Sequence, residues 1–320
     1  MPRILILGGA GYIGSAFLDE FRRREWPCRV LRRSDADYTR FPVLLDLLRG
    51  ERFDLLVNCA GYTGKPNVDA CELARADTLL GNVTLPLTIA HACAETGTPW
   101  GHISSGCIFS GAKMRQPDGS HRVERDLMEP AIREQVESAP ERFEGFTETD
   151  EPNFSFRNGP CSFYSGSKAL GEEAIAGIGS HYVWRLRIPF DELDNSRNYL
   201  SKVQRYPRVY DNVNSISHRG DFVRAALDLW NQRAPFGTYN IVNPGRITTR
   251  QVVERIQARL SPGRSFEFWR NDTEFYATAA KTPRSNCILD ASKLLAAGVK
   301  IRPVDEALDD ALQHWRPEKS

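Results

Sequence analysis

Several features that would mark particular classes of protein are scarce or absent in this chain of 320 residues. Its 42 basic and 41 acidic residues leave a net charge of +1, which offers no electrostatic footprint for nucleic acid or an anionic membrane. No run of about 18 apolar residues occurs, so a typical membrane-spanning helix is excluded. The seven cysteines lack the paired spacing of a zinc site or a disulfide scaffold. We therefore expect no metal, no nucleic-acid partner and no membrane partner.

The length and the first residues narrow the class further. A chain of 320 residues can form one large domain, or a nucleotide-binding domain with a smaller one attached. The first apolar run that suits a strand starts at Arg3, which leaves no room before it for a targeting segment. Because scattered cysteines without a disulfide pattern are typical of a reducing compartment, we expect a cytoplasmic protein.

Short apolar runs that suit buried parallel strands alternate with amphipathic stretches that suit helices. The predicted strands are residues 3–7, 29–31, 55–59, 100–103 and 183–188, whereas residues 37–39 are too short and polar to predict a strand. The predicted helices are residues 13–24, 43–49, 74–95, 167–178 and 221–230. Repeated strand–helix–strand units require right-handed crossovers and a parallel sheet covered on both faces. We predict an α/β fold, a doubly wound parallel-sheet Rossmann domain.

The regular pattern ends after Pro189, which indicates a second and smaller part of the chain. We predict that residues 1–188 and about 218–238 form the nucleotide-binding domain. A smaller, discontinuous C-terminal substrate-binding domain would then comprise about 189–217 and 239–320. Residues 111–147 are rich in charge and turn formers, with a short helix around 130–138. They are predicted to be an inserted segment: a solvated surface excursion or, because they leave the sheet where ligands bind, a substrate lid or an oligomer contact.

A glycine-rich turn follows the first predicted strand. Gly8, Gly11 and Gly14 have the spacing G-x-x-G-x-x-G, which permits a tight turn and lets backbone N–H groups approach a pyrophosphate. At the end of the second predicted strand, an NAD site would carry a carboxylate for the ribose hydroxyls. This chain instead has Arg32 and Arg33, which can pair with a 2′-phosphate. We therefore predict NADP, used as NADPH, over NAD.

A tyrosine and a lysine stand four residues apart, at Tyr164 and Lys168. This spacing puts both side chains on one helix face, where the ammonium can lower the phenol pKa and also reach a nucleotide ribose. The phenol could then act as an acid near neutral pH. Ser105 lies upstream of this pair, in a Ser104-Ser105-Gly106-Cys107 run. The pattern predicts transfer of a hydride and a proton.

These motifs together resemble the extended short-chain dehydrogenase/reductases. The resemblance rests on the glycine motif, Asn58-Cys59-Ala60-Gly61, Asn82, Ser105 and the Tyr164–Lys168 pair. It implies a cofactor shelf at residues 59–62 and an active-site helix that carries Asn82. The implied cofactor-binding residues are Gly8, Gly11, Tyr12, Ile13, Gly14, Arg32, Arg33, Cys59, Ala60, Gly61, Tyr62, Asn82, Tyr164, Lys168 and Pro189.

Longer strings narrow the resemblance. They are residues 57–69 (VNCAGYTGKPNVD), 106–109 (GCIF), 150–154 (DEPNF), 162–165 (SFYS), 197–199 (RNY) and 283–286 (PRSN). They look like the nucleotide-rhamnose synthase/epimerase-reductases and, more distantly, the dTDP-4-dehydrorhamnose reductases. The likeness covers most of the chain but fails over 111–147, where that family has a much shorter loop.

This family resemblance implies the substrate, a nucleoside-diphosphate-4-keto-6-deoxyhexose inverted at carbons 3 and 5 and reduced at carbon 4. Each inversion removes a proton beside a ketone and returns one from the opposite face, which requires two acid/base groups. Cys107 and Lys202 match the family positions of that pair. The implied catalytic residues are Ser105, Tyr164, Lys168, Cys107 and Lys202. The implied substrate-binding residues are Lys65, Asn67, Ser105, Cys107, Arg197, Asn198, Lys202, Arg284 and Asn286.

Other functions of related folds stay open at this point. An NAD-dependent nucleotide-sugar 4-epimerase is disfavoured by Arg32 and Arg33, and a 4,6-dehydratase by the Gly106-Cys107 pair, where an acidic dyad would stand. A non-catalytic NADP-sensing regulator need not keep the tyrosine and lysine. The family resemblance also implies a homodimer paired through the helices at 74–95 and after Tyr164.

Overall fold

The structure is a computed structural model that describes residues 1–65 and 67–317. The strands are β1 (Ile4–Leu7), β2 (Cys28–Leu31), β3 (Leu55–Asn58), β4 (Trp100–Ser105), β5 (Ala112–Arg115), β6 (His121–Glu124), β7 (Phe143–Glu144), β8 (His181–Leu186), β9 (Pro189–Phe190), β10 (Leu193–Asp194), β11 (Val213–Asn214), β12 (Ser217–His218), β13 (Gly237–Asn240), β14 (Ile247–Thr248) and β15 (Arg316–Pro317).

Helices connect most of these strands. The α-helices are α1 (Tyr12–Arg23), α2 (Phe41–Gly50), α3 (Arg75–Leu79), α4 (Leu85–Thr96), α5 (Pro130–Ser138), α6 (Phe163–Ile175), α7 (Tyr199–Arg205), α8 (Arg219–Asn231), α9 (Thr249–Arg259), α10 (Asp272–Thr278), α11 (Ser292–Ala296) and α12 (Val304–Gln313). Short 3₁₀ turns occur at Val68–Glu72, Gly106–Ile108 and Pro140–Arg142, and a π-helical turn, Leu80–Thr84, joins α3 to α4.

A six-stranded parallel sheet organises the chain, in the order β13-β8-β4-β3-β1-β2. This confirms the predicted doubly wound fold. Residues 37–39, which did not predict a strand, form none. Leu7, the last residue of β1, pairs with Leu31 on one side and Asn58 on the other. The carboxyl ends of β1, β2 and β3 therefore align at one edge of the sheet, where ligands bind in such folds.

The sheet is buried on both faces. Every residue of β1 and β3 is fully buried, as expected for strands covered on both sides. On one face, Phe17 and Phe21 of α1 pack with Trp184 and Phe222, the latter from α8. On the other face, Leu48 of α2 packs in the same cluster as residues of α4. Stripes four residues apart on these helices thus account for the two layers.

The segment at 111–147 folds as a small unit of its own. β5 pairs antiparallel with both β6 and β7, and α5 occupies the predicted 130–138. A buried cluster forms within it and against later residues of the chain: Ala112, Met114, Leu127, Val136, Phe143, Val213 and Ile288. The segment therefore combines an apolar core with an exposed stretch at 117–123, and the solvated excursion stays a prediction. The lid and the oligomer contact stay predictions.

A separate core lies in the region after residue 188. It contains Phe190, Leu200, Val252, Ile256 and Leu308, from the segments around β9, α7, α9 and α12. β13, which ends at Asn240, belongs to the main sheet. The division into two domains stays a prediction. Within residues 1–65 and 67–317, no helix combines the length and the apolar character needed to cross a membrane.

Candidate active site

The glycine turn after β1 is shaped so that side chains cannot enter it. Gly8 has φ +74°, and a Cβ there would lie 2.6 Å from Ala60 N. A Cβ on Gly14 would lie 2.2 Å from Gly8 O, which would push α1 away from the turn. Gly11 is the N-cap of α1 and has no side chain to occupy the helix N-terminus. The turn therefore fits a dinucleotide pyrophosphate, which needs close approach to backbone N–H groups.

Two exposed arginines follow β2 at the same edge. Arg32 and Arg33 are both exposed, and Arg32 N donates to Asp35 Oδ2 at 3.0 Å. Since β2 is the neighbour of β1 in the sheet, both arginines lie beside the glycine turn. Their charge is available to an adenosine 2′-phosphate.

The shelf after β3 is held by one buried amide. Asn82 Oδ1 accepts from Tyr62 N at 2.9 Å, and Asn82 Nδ2 donates to Tyr62 O at 2.8 Å and to Ser167 Oγ at 3.0 Å. Asn82 stands in the π-helical turn, and such turns are frequent at functional sites. A Cβ on Gly61 would lie 3.1 Å from Asn82 Oδ1 and 4.0 Å from Lys168 Nζ. Asn82 thus brings the shelf, which includes Cys59 and Ala60, against the helix of the predicted catalytic pair.

That helix starts earlier than predicted. Ser162 caps α6 by accepting from Ser165 N at 3.1 Å, so the helix spans Phe163–Ile175 and not 167–178. Tyr164 consequently lies in the first turn, one turn before Lys168, and both side chains share a face. Lys168 Nζ donates to Ile103 O of β4 at 2.9 Å. Ser105, at the end of β4, hydrogen-bonds Tyr164. The structure therefore brings the predicted trio together.

The electrostatics of the trio differ from the sequence-based expectation. Burial raises the pKa of Tyr164 well above its usual value, and the hydrogen bond with Ser105 and the charge of Arg187 oppose this. Burial also lowers the pKa of Lys168. The prediction that Lys168 brings the phenol pKa toward neutrality is therefore wrong for this geometry, because the amine is buried and bonded to a carbonyl. Tyr164 stays protonated, the form that donates a proton.

Cys107 lies on the 3₁₀ turn after β4, beside the trio. Its N donates to Ser105 Oγ at 3.2 Å, and the residue is 7% exposed. Burial raises the thiol pKa, while hydrogen bonds with Ser105 and Ser165 and the charges of Arg187 and Lys168 oppose this. The thiol therefore lies close enough to the predicted catalytic phenol to interact with it.

Lys202 lies on α7, among the elements that follow the sheet. Lys202 is half-buried, and burial followed by the charge of Arg197 lowers its pKa. The Arg197 guanidinium donates to Gly64 O from both terminal nitrogens, at 3.3 Å. Arg197 thus joins α7 to the loop after β3 and stands close to the amine. A lysine with a lowered pKa suits proton exchange near neutral pH.

Two predicted substrate ligands already make hydrogen bonds to other groups of the protein. Asn198 is fully buried; Nδ2 donates to Asp191 O at 2.8 Å and to Leu193 O at 2.7 Å, and Oδ1 caps α7. The prediction that it binds substrate is therefore wrong: it positions α7. Arg284 donates to both carboxylate oxygens of Asp69, at 2.8 Å for Nη2. That guanidinium is already paired, so direct binding of a diphosphate would have to compete with Asp69.

The remaining predicted ligands lie on several different elements. Asn286 Oδ1 accepts from Asn214 Nδ2 at 3.1 Å, and Asn67 caps the 3₁₀ turn Val68–Glu72 by accepting from Asp69 N at 2.9 Å. Lys65 is exposed, and Pro189 is half-buried at the start of β9. Ile13 packs partly buried against the core of the sheet. Their roles as ligands stay predictions.

A buried network that the sequence did not reveal joins the glycine turn to the later elements. Tyr12 OH donates to Asp191 Oδ1 at 2.8 Å, and Arg219 Nη1 donates to Asp191 Oδ2 at 2.7 Å. Arg219 also lies over the Tyr12 ring, 4.4 Å from its centroid. Tyr12 and Asp191 are 179 positions apart, so no local pattern could have predicted the contacts. Tyr12 therefore ties the turn to the loop before α7 through its hydroxyl.

Two further buried arginines were missed, Arg185 on β8 and Arg187 directly after it. Arg185 pairs with Glu172 of α6 at 2.7 Å, and Glu172 also accepts from Ser104 Oγ. Arg187 donates through Nη2 to Asn214 Oδ1 and Ser285 O. The available signal was the pair of charges, two residues apart, in the apolar run YVWRLRI, which is unusual for a buried strand.

Within the described residues, no group of three or more His, Cys, Asp or Glu could hold a metal ion.

Comparisons with known proteins show the family of the chain. Residues 2–316 match the family described as the RmlD substrate binding domain. The chain is 32% identical over 253 residues to the bifunctional dTDP-4-dehydrorhamnose 3,5-epimerase/dTDP-4-dehydrorhamnose reductase of Arabidopsis thaliana, covering 78% of this chain and 73% of that protein. It is also 32% identical over 254 residues to a trifunctional UDP-glucose 4,6-dehydratase/UDP-4-keto-6-deoxy-D-glucose 3,5-epimerase/UDP-4-keto-L-rhamnose-reductase of the same plant. The match covers 78% of this chain but spans only 33% of that longer protein.

Solved structures share the fold along the whole chain. The L780 UDP-rhamnose synthase of Acanthamoeba polyphaga mimivirus superposes with a TM-score of 0.82 at 20% identity, covering 98% of this chain and 99% of that one. The dTDP-4-dehydrorhamnose reductase of Bacillus anthracis, solved in complex with NADP, gives 0.73 at 18% identity and 98% coverage of both chains. These likenesses concern the fold alone. The match over residues 2–316 and the identity of 32% to the plant enzymes confirm the resemblance to rhamnose-synthase-like short-chain dehydrogenase/reductases, and the chain belongs to the RmlD substrate binding domain family.

Proposed function

We propose that this protein reduces carbon 4 of a nucleoside-diphosphate-4-keto-6-deoxyhexose, of the UDP- or dTDP-4-keto-rhamnose type, with NADPH. The observation that carries the proposal is that Ser105, Tyr164 and Lys168 come together at the same edge of the sheet as the glycine turn. That turn has no room for side chains and fits a pyrophosphate that binds to backbone N–H groups. Relatives of the chain have nucleotide-sugar reductase activity in their names. The fold and the family support the reaction class, and the site residues support its chemistry.

In the proposed reduction, the protein itself donates a proton. When bound, NADPH supplies the hydride. Tyr164, kept protonated by burial, gives its proton to the alkoxide oxygen that forms at carbon 4. Ser105 holds the phenol by a hydrogen bond and can share that oxygen. Lys168 is anchored by Ile103 O at 2.9 Å, with further N–H groups left for the ribose.

We propose epimerisation at carbons 3 and 5 as a second activity of the same candidate active site. Cys107 and Lys202 are the acid/base groups, one on the turn after β4 and one on α7. They come from different elements, which suits attack on opposite sides of a sugar ring. Arg197 and Lys65 are proposed to meet the diphosphate, whereas Arg284 acts through its pair with Asp69.

The choice of NADPH over NADH rests on the two exposed arginines after β2.

A homodimer is also proposed. Leu80 and Leu170, on the π-helical turn and on α6, are 39% and 36% exposed. Exposed apolar side chains on these adjacent elements support pairing through the same helices in a second copy. A cytoplasmic location is supported by the seven cysteines, all in the described part of the chain and none in a disulfide.

One assay tests the function directly. The pure protein is incubated with NADPH and either UDP- or dTDP-4-keto-6-deoxyglucose, in deuterated water, and product and NADPH consumption are followed by NMR and absorbance. We expect NADPH oxidation, deuterium at carbons 3 and 5, and a rhamnose-configured product. Parallel incubations with UDP-glucose and dTDP-glucose test the alternatives: inversion at carbon 4 without net cofactor consumption would indicate a 4-epimerase, and loss of water a 4,6-dehydratase. NADPH binding without turnover of any of these substrates would indicate a regulator.

A further inference from the structure

Arg185, Arg187 and Arg219 are buried arginines, each no more than 5% exposed. Two of them have a carboxylate partner: Arg185 pairs with Glu172 and Arg219 with Asp191, each at 2.7 Å. Arg187 differs, because its Nη2 donates to an amide oxygen and a backbone carbonyl, both neutral. Within residues 1–65 and 67–317, its Nε is buried with no hydrogen-bond partner, and no ion pair involves it. A buried cation without a carboxylate is costly, so its position needs another explanation.

Arg187 packs against the turn that carries Cys107. A Cβ on Gly106 would lie 3.5 Å from Arg187 Cδ, an ordinary contact distance, and 2.4 Å from Leu289 Cδ1. The arginine stem therefore packs against the turn, and a side chain at Gly106 would displace Leu289. The next residue, Ile188, has φ +37°, a conformation that β-branched residues rarely adopt and that clusters at functional sites. The backbone directly after Arg187 is therefore held in a strained, left-handed conformation.

Cys107 is surrounded by neutral hydrogen-bonding side chains and by two cationic side chains. Ser105 precedes it on β4, and Ser165 and Lys168 face it from α6. The other titratable or charged groups that interact with it are Tyr164, Cys71, Cys161, Cys287 and Arg187. The cations of this set are Lys168 and Arg187. Both charges favour the thiolate, that of Arg187 more than that of Lys168, and a guanidinium keeps its charge throughout the working pH range.

We propose that Arg187 is a positioning residue for epimerisation: its guanidinium charge, which no carboxylate neutralises, stabilises Cys107 as the thiolate that accepts a proton from the sugar. The catalytic part of this inference rests on the proposed function. In the step, the C–H proton moves to Sγ, and the C–H electron pair becomes the new C=C bond of an enolate. The negative charge passes from sulfur to the carbonyl oxygen, and a proton from Lys202 on the other face completes the inversion.

The test measures the thiolate without substrate. The ultraviolet absorbance of thiolate is titrated against pH as the difference between each protein and its Cys107→Ser derivative. Arg187→Gln is expected to raise the midpoint by at least about one pH unit, whereas Arg187→Lys keeps it close to that of the parent. Arg22→Gln, which removes an exposed arginine with 77% of its side chain accessible, controls for loss of one charge and leaves the midpoint unchanged.

Asn214→Asp is a second and gentler variant. Asn214 Oδ1 accepts from Arg187 Nη2 and from Cys287 N, at 3.0 Å for the latter, and an aspartate can accept both bonds. It neutralises Arg187 without removing it, so the midpoint is again expected to rise. This variant decides the matter if Arg187→Gln does not fold.

The outcomes separate this inference from the proposed function. An unchanged midpoint in Asn214→Asp and in folded Arg187→Gln overturns the role of Arg187. With a raised midpoint, deuterium incorporation at carbons 3 and 5 is expected to fall at least about tenfold at neutral pH, more than reduction of an already epimerised substrate. A raised midpoint in a protein whose parent incorporates no deuterium supports the stabilisation of the thiolate and defeats the epimerase activity instead.

Discussion

Arg284 and Asp69 are joined by two parallel hydrogen bonds, from the two terminal guanidinium nitrogens to the two carboxylate oxygens. Thr282 Oγ1 donates a third bond to the same carboxylate at 2.8 Å. The two residues are 215 positions apart, so the pair fixes the turn Val68–Glu72 against the C-terminal part of the chain. The loop between β3 and that turn carries Lys65 and accepts the bonds of Arg197, so the pair also orders the proposed substrate side.

Asp69→Asn is expected to lower the free energy of unfolding by about 1–2 kcal/mol and to raise KM for the nucleotide sugar more than it lowers kcat. Burial opposes ionisation, but the bonds from Arg284 and Thr282 outweigh it and hold the pKa of Asp69 below its usual value. The stabilisation is therefore present above about pH 3.9 and lost as pH falls through the lower folded value. Denaturation at a series of pH values measures it. Asp19→Asn, in an exposed pair with Arg22, is the control, and an equal loss in both variants would contradict the prediction.

Tyr164→Phe is expected to reduce turnover of the reductase by about 10²–10⁴-fold, with the Kd for NADPH nearly unchanged. The phenol is the proton donor, and phenylalanine keeps the ring and its packing. Single-turnover NADPH oxidation and fluorescence titration measure the two effects. Tyr206→Phe changes a tyrosine that is 46% exposed and should leave both intact. Full turnover in Tyr164→Phe would mean that another group donates the proton.

The double variant Arg32→Ser, Arg33→Ser is expected to raise KM for NADPH about tenfold or more and to leave KM for NADH unchanged. The reason is that both exposed side chains stand beside the glycine turn, where only a 2′-phosphate offers them a dianion. Initial rates with each cofactor measure the ratio. Equal KM values in the parent would already refute the preference for NADPH.

Arg197→Gln is expected to move the pH dependence of epimerisation. Burial lowers the pKa of Lys202, and the charge of Arg197 lowers it further. Removing that charge raises the pKa, so the limb of the pH profile that belongs to Lys202 should move to higher pH. Deuterium incorporation against pH measures it. Arg205→Gln, an exposed arginine on α7 paired with Asp194, is the control, and a limb that stays in place would exclude Lys202 as its origin.

How much of this could be predicted depended on whether the signal was local. Five of the six strands of the main sheet were predictable from short apolar runs, although β8 carries Arg185, whereas β13 has no such run. Tyr164 and Lys168 were predictable as a pair because they are one helical turn apart. Local strings could not show that Asn198 would be buried by Asp191 and Leu193, or that Arg284 would find Asp69. Each of those contacts depends on how distant elements pack. The pKa of Tyr164 failed for the same reason, since spacing shows a neighbouring charge but not the burial that outweighs it.

Two adjacent glutamates on α6 test how burial changes the worth of an ion pair. Glu172 pairs with Arg185, with 11% and 5% of the two side chains exposed, and Glu173 pairs with Arg157, with 40% and 73% exposed. Glu172→Gln leaves a buried arginine without its carboxylate and is expected to cost about 3–5 kcal/mol. Glu173→Gln breaks a pair in solvent and should cost less than about 1 kcal/mol. Urea unfolding of both variants measures the difference, and equal losses would show that the Arg185 charge is not buried in solution.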